Sequence, residues 1–159
     1  MRQSLMLEFP LNEYETRITA LRELMAEQMI DAVVLTTEEN TRYFCGFRMI
    51  VWDSKISKPG ALVLPLEGTP VLVTSTGGYE TAVATSCCDD VRTWHPQGTG
   101  ARPKTFPMAI ADALRSMHAQ NGRVGFETGS GMRLHLTAED REQLFSSLDQ
   151  AVICGPCVR

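Results

Sequence analysis

Near the start of the chain, apolar and polar side chains alternate with the period of a helix. Apolar residues recur every three or four positions from residue 14 to residue 29, and charged residues lie between them. This spacing predicts an amphipathic helix that covers one face of a larger structure. Asn12 followed by Glu15 has the spacing of a capping box, with Asn12 as the N-cap. The apolar stripe consists of Tyr14, Ile18, Leu21, Met25 and Met29.

Short apolar runs follow this helix. Residues 32–35 (Ala-Val-Val-Leu) are continuously apolar, as expected of a strand that is buried on both faces. Residues 61–64 and 71–73 flank a turn that contains glycine and proline, which predicts a β-hairpin. A short helix over residues 79–86 and a strand over residues 91–94 are predicted next.

The second half of the chain repeats the alternation of helix and strand. Residues 95–104 are predicted to form a loop, because their glycine and proline content breaks regular structure. Apolar residues between 106 and 117 predict a second long helix that stops at Gly122. Thr137 with Asp140 predicts the start of a third helix, which carries Leu144 and Leu148. The strands of this half are predicted at residues 124–126 and 151–153.

Helices therefore alternate with mostly buried strands, and the chain contains no internal repeat, low-complexity stretch or interdomain linker. This pattern predicts an α/β fold: a three-layer α/β/α domain around a mixed β-sheet of about five to six strands. Residues 1–159 are expected to form one compact domain, since this length is typical of a single domain with a sizeable core.

The composition restricts the classes of partner. The chain has 159 residues, is 43% hydrophobic and 21% charged, and has a formal net charge of −4. A mildly acidic chain without a basic run is not expected to bind nucleic acid. The apolar runs are shorter than the roughly 18–20 residues that cross a bilayer. A secretory signal requires a continuous apolar segment near the N-terminus, and Glu8 and Pro10 interrupt such a segment here. We therefore expect a cytoplasmic protein with no nucleic-acid or membrane partner.

The five cysteines favour reduced thiols over a disulfide framework, because their number is odd and Cys87 and Cys88 are adjacent. These two are expected to be buried bulk near the end of a helix. The motif Cys154-Gly155-Pro156-Cys157 is similar to that of thioredoxins, in which a helix N-terminus activates the first thiol. Only two residues follow the motif, so no helix can form after it within this chain. Thiol redox chemistry at Cys154 and Cys157 is therefore the weaker alternative.

The sequence contains no set of metal ligands or nucleophile motif at a useful spacing. His95, His118 and His135 are far apart, and none has a His or Cys three or four positions away, as a zinc site usually requires. The glycine-containing segments lack the spacing of a phosphate-binding loop or of a serine nucleophile elbow. We expect these histidines to lie on the surface or in loops, with no metal site among them.

Three segments carry a more specific pattern. The charged helix leads directly into Asp31-Ala32-Val33-Val34-Leu35-Thr36, and Asn40-Thr41-Arg42-Tyr43-Phe44-Cys45-Gly46-Phe47 has the form N-x-x-Y-x-x-G-F. The hairpin over residues 61–73 comes third, and a helix begins near Glu80. In this order the segments resemble the amino-terminal domain of creatinases, prolidases and Xaa-Pro aminopeptidases, the "pita-bread" hydrolases. The resemblance covers nearly the whole chain and implies a ribonuclease H-like α/β/α fold.

The second of these segments also has a local structural interpretation. Asn40 is predicted to cap a short helix after the first strand. Tyr43 and Phe44 are predicted to bury their rings beneath that helix, and Gly46 to allow a tight exit from it. On this interpretation the segment is architectural.

The resemblance implies that this domain carries no catalytic residue, contributes to dimer assembly and covers the mouth of an active site. The resemblance also implies that the loop over residues 48–59 is the segment that touches the substrate. Arg48 or Lys55 could pair with a substrate carboxylate, Trp52 could form an apolar wall, and Asp53 could meet an amine. Such contacts would hold the substrate in position and limit water. The alternative is a solvated loop whose Trp52 packs on its own domain.

The resemblance further implies a parent enzyme with a C-terminal catalytic domain that is absent from residues 1–159. That domain would bind two divalent metal ions (Mn, Co or Zn) and hydrolyse an X-Pro peptide bond or a related C–N bond. Creatinase has the same fold but works without metal, so the resemblance does not decide whether the parent binds metal. It also does not decide which substrate the parent hydrolyses. The expected partners are the catalytic domain and a second copy in a homodimer, and Arg159 is expected to be an artificial end. The alternative, from a different class of function, is that the chain is a stand-alone binding or dimerisation module.

Overall fold

The computed structural model describes residues 1–49, 60–97, 103–148 and 152–154. Within these ranges helices and strands alternate, as the hydrophobic pattern predicts. In chain order they are α1 (Leu11–Glu27), β1 (Ala32–Leu35), α2 (Glu38–Cys45), β2 (Gly60–Pro65), β3 (Val71–Ser75), α3 (Tyr79–Thr85), β4 (Asp90–Trp94), α4 (Phe106–Ser116), β5 (Arg123–Phe126), α5 (Ala138–Ser146) and β6 (Val152–Cys154).

The strands form one mixed sheet in the order β4-β3-β2-β1-β5-β6. Strand β2 runs antiparallel to both of its neighbours, and the remaining pairs are parallel. In the centre of the sheet, Val33 of β1 lies opposite Leu64 of β2 on one side and Gly125 of β5 on the other. The predicted hairpin is therefore confirmed, and so is a mixed sheet of five to six strands.

Helices cover both faces of this sheet, because the strand side chains alternate between two separate cores. Val33 and Leu35 of β1 belong to the core beneath α1 and α2. Ala32 and Val34 belong to the core beneath α4 and α5. All four residues of β1 are buried, so the continuously apolar run is that of a strand enclosed on both faces. The predicted three-layer α/β/α architecture is confirmed.

Helix α1 buries the predicted stripe except at its end. Tyr14, Ile18, Leu21 and Met25 are buried. Met29 was predicted to continue the stripe, and this is wrong: the helix ends at Glu27, and Met29 has a φ of 55° and is 71% exposed.

The predicted N-cap of α1 is also wrong. The helix begins at Leu11, so its N-cap is Pro10 and no side chain caps it. Asn12 lies inside the first turn, where its backbone carbonyl accepts a hydrogen bond from Thr16 Oγ1 at 2.8 Å. The helix starts two residues earlier than predicted, so Asn12 does not have the N-cap geometry that a capping box requires.

The two helices on the other face differ in how well their ends were predicted. Helix α4 ends at Ser116 and not near Gly122, because His118 adopts a left-handed φ of 57°. Helix α5 has the predicted capping box: Thr137 Oγ1 accepts from the Asp140 N–H at 3.1 Å, and the Asp140 carboxylate accepts from the Thr137 N–H at 3.3 Å. Across the described ranges, the helices are too short or too polar to span a lipid bilayer.

Candidate functional site

A buried carboxylate holds the start of helix α2. Glu127 directly follows β5 and is 1% exposed. Its Oε2 atom accepts from the Thr36 N–H at 2.5 Å, the Thr36 hydroxyl at 2.8 Å and the Thr37 N–H at 3.0 Å. Its Oε1 atom accepts from the Thr37 hydroxyl and from Asn40 Nδ2, both at 2.6 Å. A buried charge with this many donors is well solvated by the protein itself.

This network corrects the role predicted for Asn40. Thr37 is the N-cap of α2, and its hydroxyl oxygen accepts from the Asn40 N–H at 3.4 Å. The Asn40 side chain instead donates to Glu127. Thr36 Oγ1 also accepts from the His135 N–H at 2.9 Å. The network therefore joins the ends of β1 and β5, the start of α2 and the segment that leads to α5.

The other end of α2 is fixed by a glycine. Gly46 is the C-cap, with a left-handed φ of 79°, and its N–H donates to the Arg42 carbonyl. Phe47 follows and is fully buried, with its ring against Gly60: a Cβ atom added at Gly60 would lie 2.7 Å from Phe47 Cε1. The predicted tight exit at Gly46 is confirmed, and it directs the chain to Arg48.

The two aromatic residues near the end of α2 lie in different environments. Phe44 is 5% exposed and belongs to the core, as predicted. Tyr43 is 50% exposed, so the prediction that its ring is buried is wrong. The Arg17 guanidinium lies 4.4 Å from the centre of the Tyr43 ring and 4.7 Å from that of Phe9. Arg17 also pairs with Glu13 and donates to the Tyr43 carbonyl, which orients it between the rings.

An ion pair lies beside this arginine. Arg42 donates to both carboxylate oxygens of Glu8, at 2.8 and 2.6 Å. The hydrogen bonds from Arg42 hold the pKa of the Glu8 carboxyl below its usual value, with smaller contributions from the charges of Arg42, Arg48 and Arg17. The same contact raises the pKa of Arg42. The N-terminal segment is thus attached to α2 by a bidentate pair.

The Glu8 pair predicts a small loss of stability in acid. Because the pKa of Glu8 is lowered in the folded state, its contribution is present above about pH 4.5 and is lost as the pH falls through the folded value. We expect Glu8→Gln to lower the free energy of unfolding at pH 7 by roughly 0.5 kcal/mol or less, since exposed pairs are screened, and to have a smaller effect at pH 3. Urea unfolding at both pH values tests this; Glu23→Gln, on the exposed side of α1, serves as control.

These contacts define what we call the Arg48 surface. Arg48 Nη2 donates to the Met6 carbonyl at 3.3 Å, so Arg48 lies against the N-terminal segment. Leu5 is 99% exposed and Met6 55% exposed. Exposed apolar side chains among arginines and a tyrosine are typical of surfaces that bind another protein. The Arg48 surface consists of Leu5, Met6, Glu8, Phe9, Arg17, Arg42, Tyr43 and Arg48.

Only one of the four predicted substrate-contact residues lies in the described part of the chain. Arg48 is half-buried and forms the surface just defined. Trp52, Asp53 and Lys55 lie outside the described residues, and so does Cys157 of the predicted redox motif. Their roles stay predictions.

The histidines lie in loops, as predicted. His95 follows β4, His118 follows α4 and His135 precedes α5, and none belongs to a helix or strand. Within residues 1–49, 60–97, 103–148 and 152–154, no three His, Cys, Asp or Glu side chains form a group that could hold a metal ion.

Two groups of residues at this site are missing from the sequence-based prediction. Glu127 directly follows a predicted strand, and Thr36 and Thr37 directly follow another. Polar residues at the carboxyl ends of neighbouring parallel strands meet at one edge of a sheet, but the sequence did not tell that β1 and β5 are neighbours. The contact between Arg17 and Tyr43 joins residues 26 positions apart and has no local signal.

Comparison with known proteins gives the family. The creatinase/prolidase N-terminal domain family matches residues 17–157. The chain therefore belongs to this family of domains. A search of curated protein sequences gave no significant match.

Solved structures share the fold at low sequence identity. An Xaa-Pro aminopeptidase from Streptococcus pyogenes is 17% identical, with a TM-score of 0.64 over 92% of this chain and 95% of that one. The N-terminal domain of the cytoplasmic peptidase PepQ from Mycobacterium tuberculosis H37Rv is 18% identical, with a TM-score of 0.63 over 89% and 92%. An Xaa-Pro dipeptidase from Bacillus anthracis is 18% identical, with a TM-score of 0.66 over 91% of this chain but only 34% of its own.

Proposed function

We propose that this domain is the non-catalytic N-terminal part of an Xaa-Pro peptidase-type hydrolase, in which it supports a dimer and covers the substrate pocket. The observation that carries the proposal is its fold, which is that of a creatinase/prolidase N-terminal domain over residues 17–157. In the B. anthracis dipeptidase a domain of this fold is about one third of the chain. A larger protein around this domain would supply the catalytic residues.

The chemistry of the parent would reside in its catalytic domain. Two divalent metal ions (Mn, Co or Zn) bound there would activate water for attack on the bond before proline. The role of the present domain would be to hold the substrate and to exclude bulk water. Arg48 supports this role, since a guanidinium pairs well with the carboxylate of a short peptide.

The Arg48 surface supports the assembly role. It combines exposed leucine, methionine, phenylalanine and tyrosine side chains with three arginines, and Tyr and Arg are enriched at the centres of interfaces. The bidentate contact of Arg42 with Glu8 and the position of Arg17 between two rings hold these side chains in place before a partner arrives. A preorganised surface of this kind loses little side-chain entropy on binding.

The proposal is tested by expressing the complete reading frame that contains these residues and assaying it with Xaa-Pro dipeptides and Mn²⁺, Co²⁺ or Zn²⁺. We expect metal-dependent hydrolysis by the complete protein and no hydrolysis by residues 1–159 alone. A complete protein that dimerises but hydrolyses no such peptide would favour the stand-alone binding module. Hydrolysis by residues 1–159 alone would contradict a non-catalytic role.

Assembly through the Arg48 surface predicts a specific loss. We expect Leu5→Asp to weaken the dimer of the complete protein by about tenfold or more, because it places a charge at an interface hot spot. The fold should be unaffected, since Leu5 is 99% exposed. Sedimentation velocity at several concentrations measures the dimer. Met29→Asp is the matched control: Met29 is also exposed but lies beyond the opposite end of α1. Equal dimerisation of the two variants would exclude this surface.

A further inference from the structure

A cleft of about 250 Å³ lies between helix α1 and the turn that joins β2 to β3. Its floor is apolar, because Ile18 and Pro70 are buried. A cleft of this size is just below the range of about 300–1,000 Å³ that holds drug-sized molecules, so it suits a smaller ligand. What we call the α1 cleft is formed by this floor and by walls that carry the polar side chains of Glu15, Thr19, Arg22 and Thr69.

Arg22 brings a positive charge to one end of the α1 cleft. Its guanidinium is half-buried and is held against the turn: Nε donates to the Pro65 carbonyl at 3.1 Å, and Nη2 donates to the Gly68 carbonyl. Both acceptors are neutral, and no carboxylate within the described ranges forms an ion pair with Arg22. A guanidinium that is fixed in place without a paired anion fits the carboxylate of a ligand.

Glu15 brings the opposite charge to the other end. Residues 15, 19 and 22 are four and three positions apart, so they share one face of α1. The Glu15 side chain is exposed, and it too forms no ion pair with any of the described residues. The amino group of Met1, whose residue also lines the cleft, pairs with Asp89 at 2.6 Å. The cleft therefore offers one acid and one base, with the Thr19 hydroxyl between them.

The separation of the two charges selects the length of the ligand. Seven residues of helix place the Cα atoms of Glu15 and Arg22 about 10 Å apart. An extended dipeptide is about 7 Å long, and a charged hydrogen bond of about 2.8 Å at each end brings its span to about 12–13 Å. Since both side chains are long, a dipeptide reaches both charges, whereas a single amino acid is about 3.5 Å shorter.

We propose that the α1 cleft binds a free dipeptide with an apolar side chain. The dipeptide carboxylate pairs with Arg22, its ammonium group pairs with Glu15, and its apolar side chain covers Ile18. The α1 cleft and the Arg48 surface have no residue in common, so this binding does not depend on hydrolysis by a catalytic domain.

The test titrates ¹⁵N-labelled residues 1–159 with alanyl-leucine and follows the amide shifts by NMR. The domain suffices for this measurement, because both of its cores are built from its own residues. We expect the shifts to change at Glu15, Thr19, Arg22 and the turn, with a Kd on the order of 1 mM, as the usual ligand efficiency of so small a molecule allows. N-acetyl-alanyl-leucine and alanyl-leucinamide each lack one charge and should bind about threefold to fivefold more weakly.

Two variants assign the charges. Arg22→Gln should weaken alanyl-leucine about fivefold but leave the affinity for alanyl-leucinamide unchanged, because the amide has no carboxylate to lose. This comparison separates a lost ion pair from a displaced turn, which would weaken both ligands. Glu15→Gln should weaken alanyl-leucine about threefold and leave N-acetyl-alanyl-leucine unchanged. Glu23→Gln, on exposed α1 outside the cleft, is the control and should change neither affinity.

Three results overturn the proposal. The first is an absence of shift changes at the α1 cleft at ten times the expected Kd. The second is equal binding of alanyl-leucine and its two blocked forms, which would mean that the charges do not select the ligand. The third is wild-type affinity in both Glu15→Gln and Arg22→Gln.

Discussion

Replacing Glu127 by glutamine should lower the free energy of unfolding by about 3 kcal/mol, one of the two largest effects that we expect. The substitution keeps the shape of the side chain but removes its charge and turns one acceptor oxygen into a donor. Five hydrogen bonds from Thr36, Thr37 and Asn40 then lose a charged acceptor, and at least one N–H or O–H faces another donor. A lost charged hydrogen bond and a buried unsatisfied group each cost on the order of 1–3 kcal/mol.

Urea unfolding at pH 7 measures this effect. Glu142→Gln is the matched control, because Glu142 is exposed on α5 and its replacement should change the free energy of unfolding by less than about 0.5 kcal/mol. An effect of Glu127→Gln as small as that of the control would mean that the network does not hold α2. The position of Arg48 would then need another explanation.

Replacing Gly46 by alanine should cost a similar amount, about 3 kcal/mol. Gly46 has a φ of 79°, a conformation that costs an alanine roughly 1 kcal/mol. An added Cβ atom would also lie 2.8 Å from the Thr85 carbonyl oxygen and 3.0 Å from Leu7 Cδ1. The carbonyl belongs to the backbone and cannot move aside cheaply, so the collision adds roughly 1–3 kcal/mol.

The chain offers a control that separates these two costs. Gly131 has nearly the same φ, 78°, but an added Cβ atom there meets nothing within 4 Å. We therefore expect Gly131→Ala to cost only the conformational part, about 1 kcal/mol. If Gly46→Ala and Gly131→Ala lower the free energy of unfolding by the same amount, the collision at Gly46 is relieved. The turn leading to Arg48 would then be less tightly packed than described.

The fold could be predicted because its signals are local. The continuous apolar run of β1, the glycine and proline between β2 and β3, and the Thr137–Asp140 spacing each depend on a few neighbouring residues. A strand that is apolar at every position must be covered on both faces, which leads directly to three layers. The resemblance to a family of domains added the identity of the fold.

The caps were predicted less well, since several residues can compete for one position. Asn12 and Asn40 are both suitable N-caps by residue type, but the structure uses Pro10 and Thr37. In the second case the loss has a cause in the tertiary structure: the Asn40 amide is bound to Glu127, which is 87 positions away in sequence. Hydrogen bonds between distant segments thus decide which polar side chain caps a helix.

The site could be predicted only as far as its position in the chain. The segment after Gly46 was selected by the resemblance, and the structure describes its first residues as part of a surface with arginines and exposed apolar side chains. Neither the exposed Tyr43 ring nor the ion pair of Glu8 with Arg42 has a periodic or motif signal, because each depends on how the N-terminal segment lies against α2.

The most direct test of a pocket-covering role is the steady-state kinetics of Arg48→Ala in the complete protein with an Xaa-Pro dipeptide. We expect KM to rise about tenfold while kcat changes less than about threefold, as for the loss of a contact that binds substrate and transition state alike. Arg141→Ala, an exposed arginine of α5 on the other face of the sheet, should change neither constant. An unchanged KM in Arg48→Ala would contradict direct contact of this surface with the substrate.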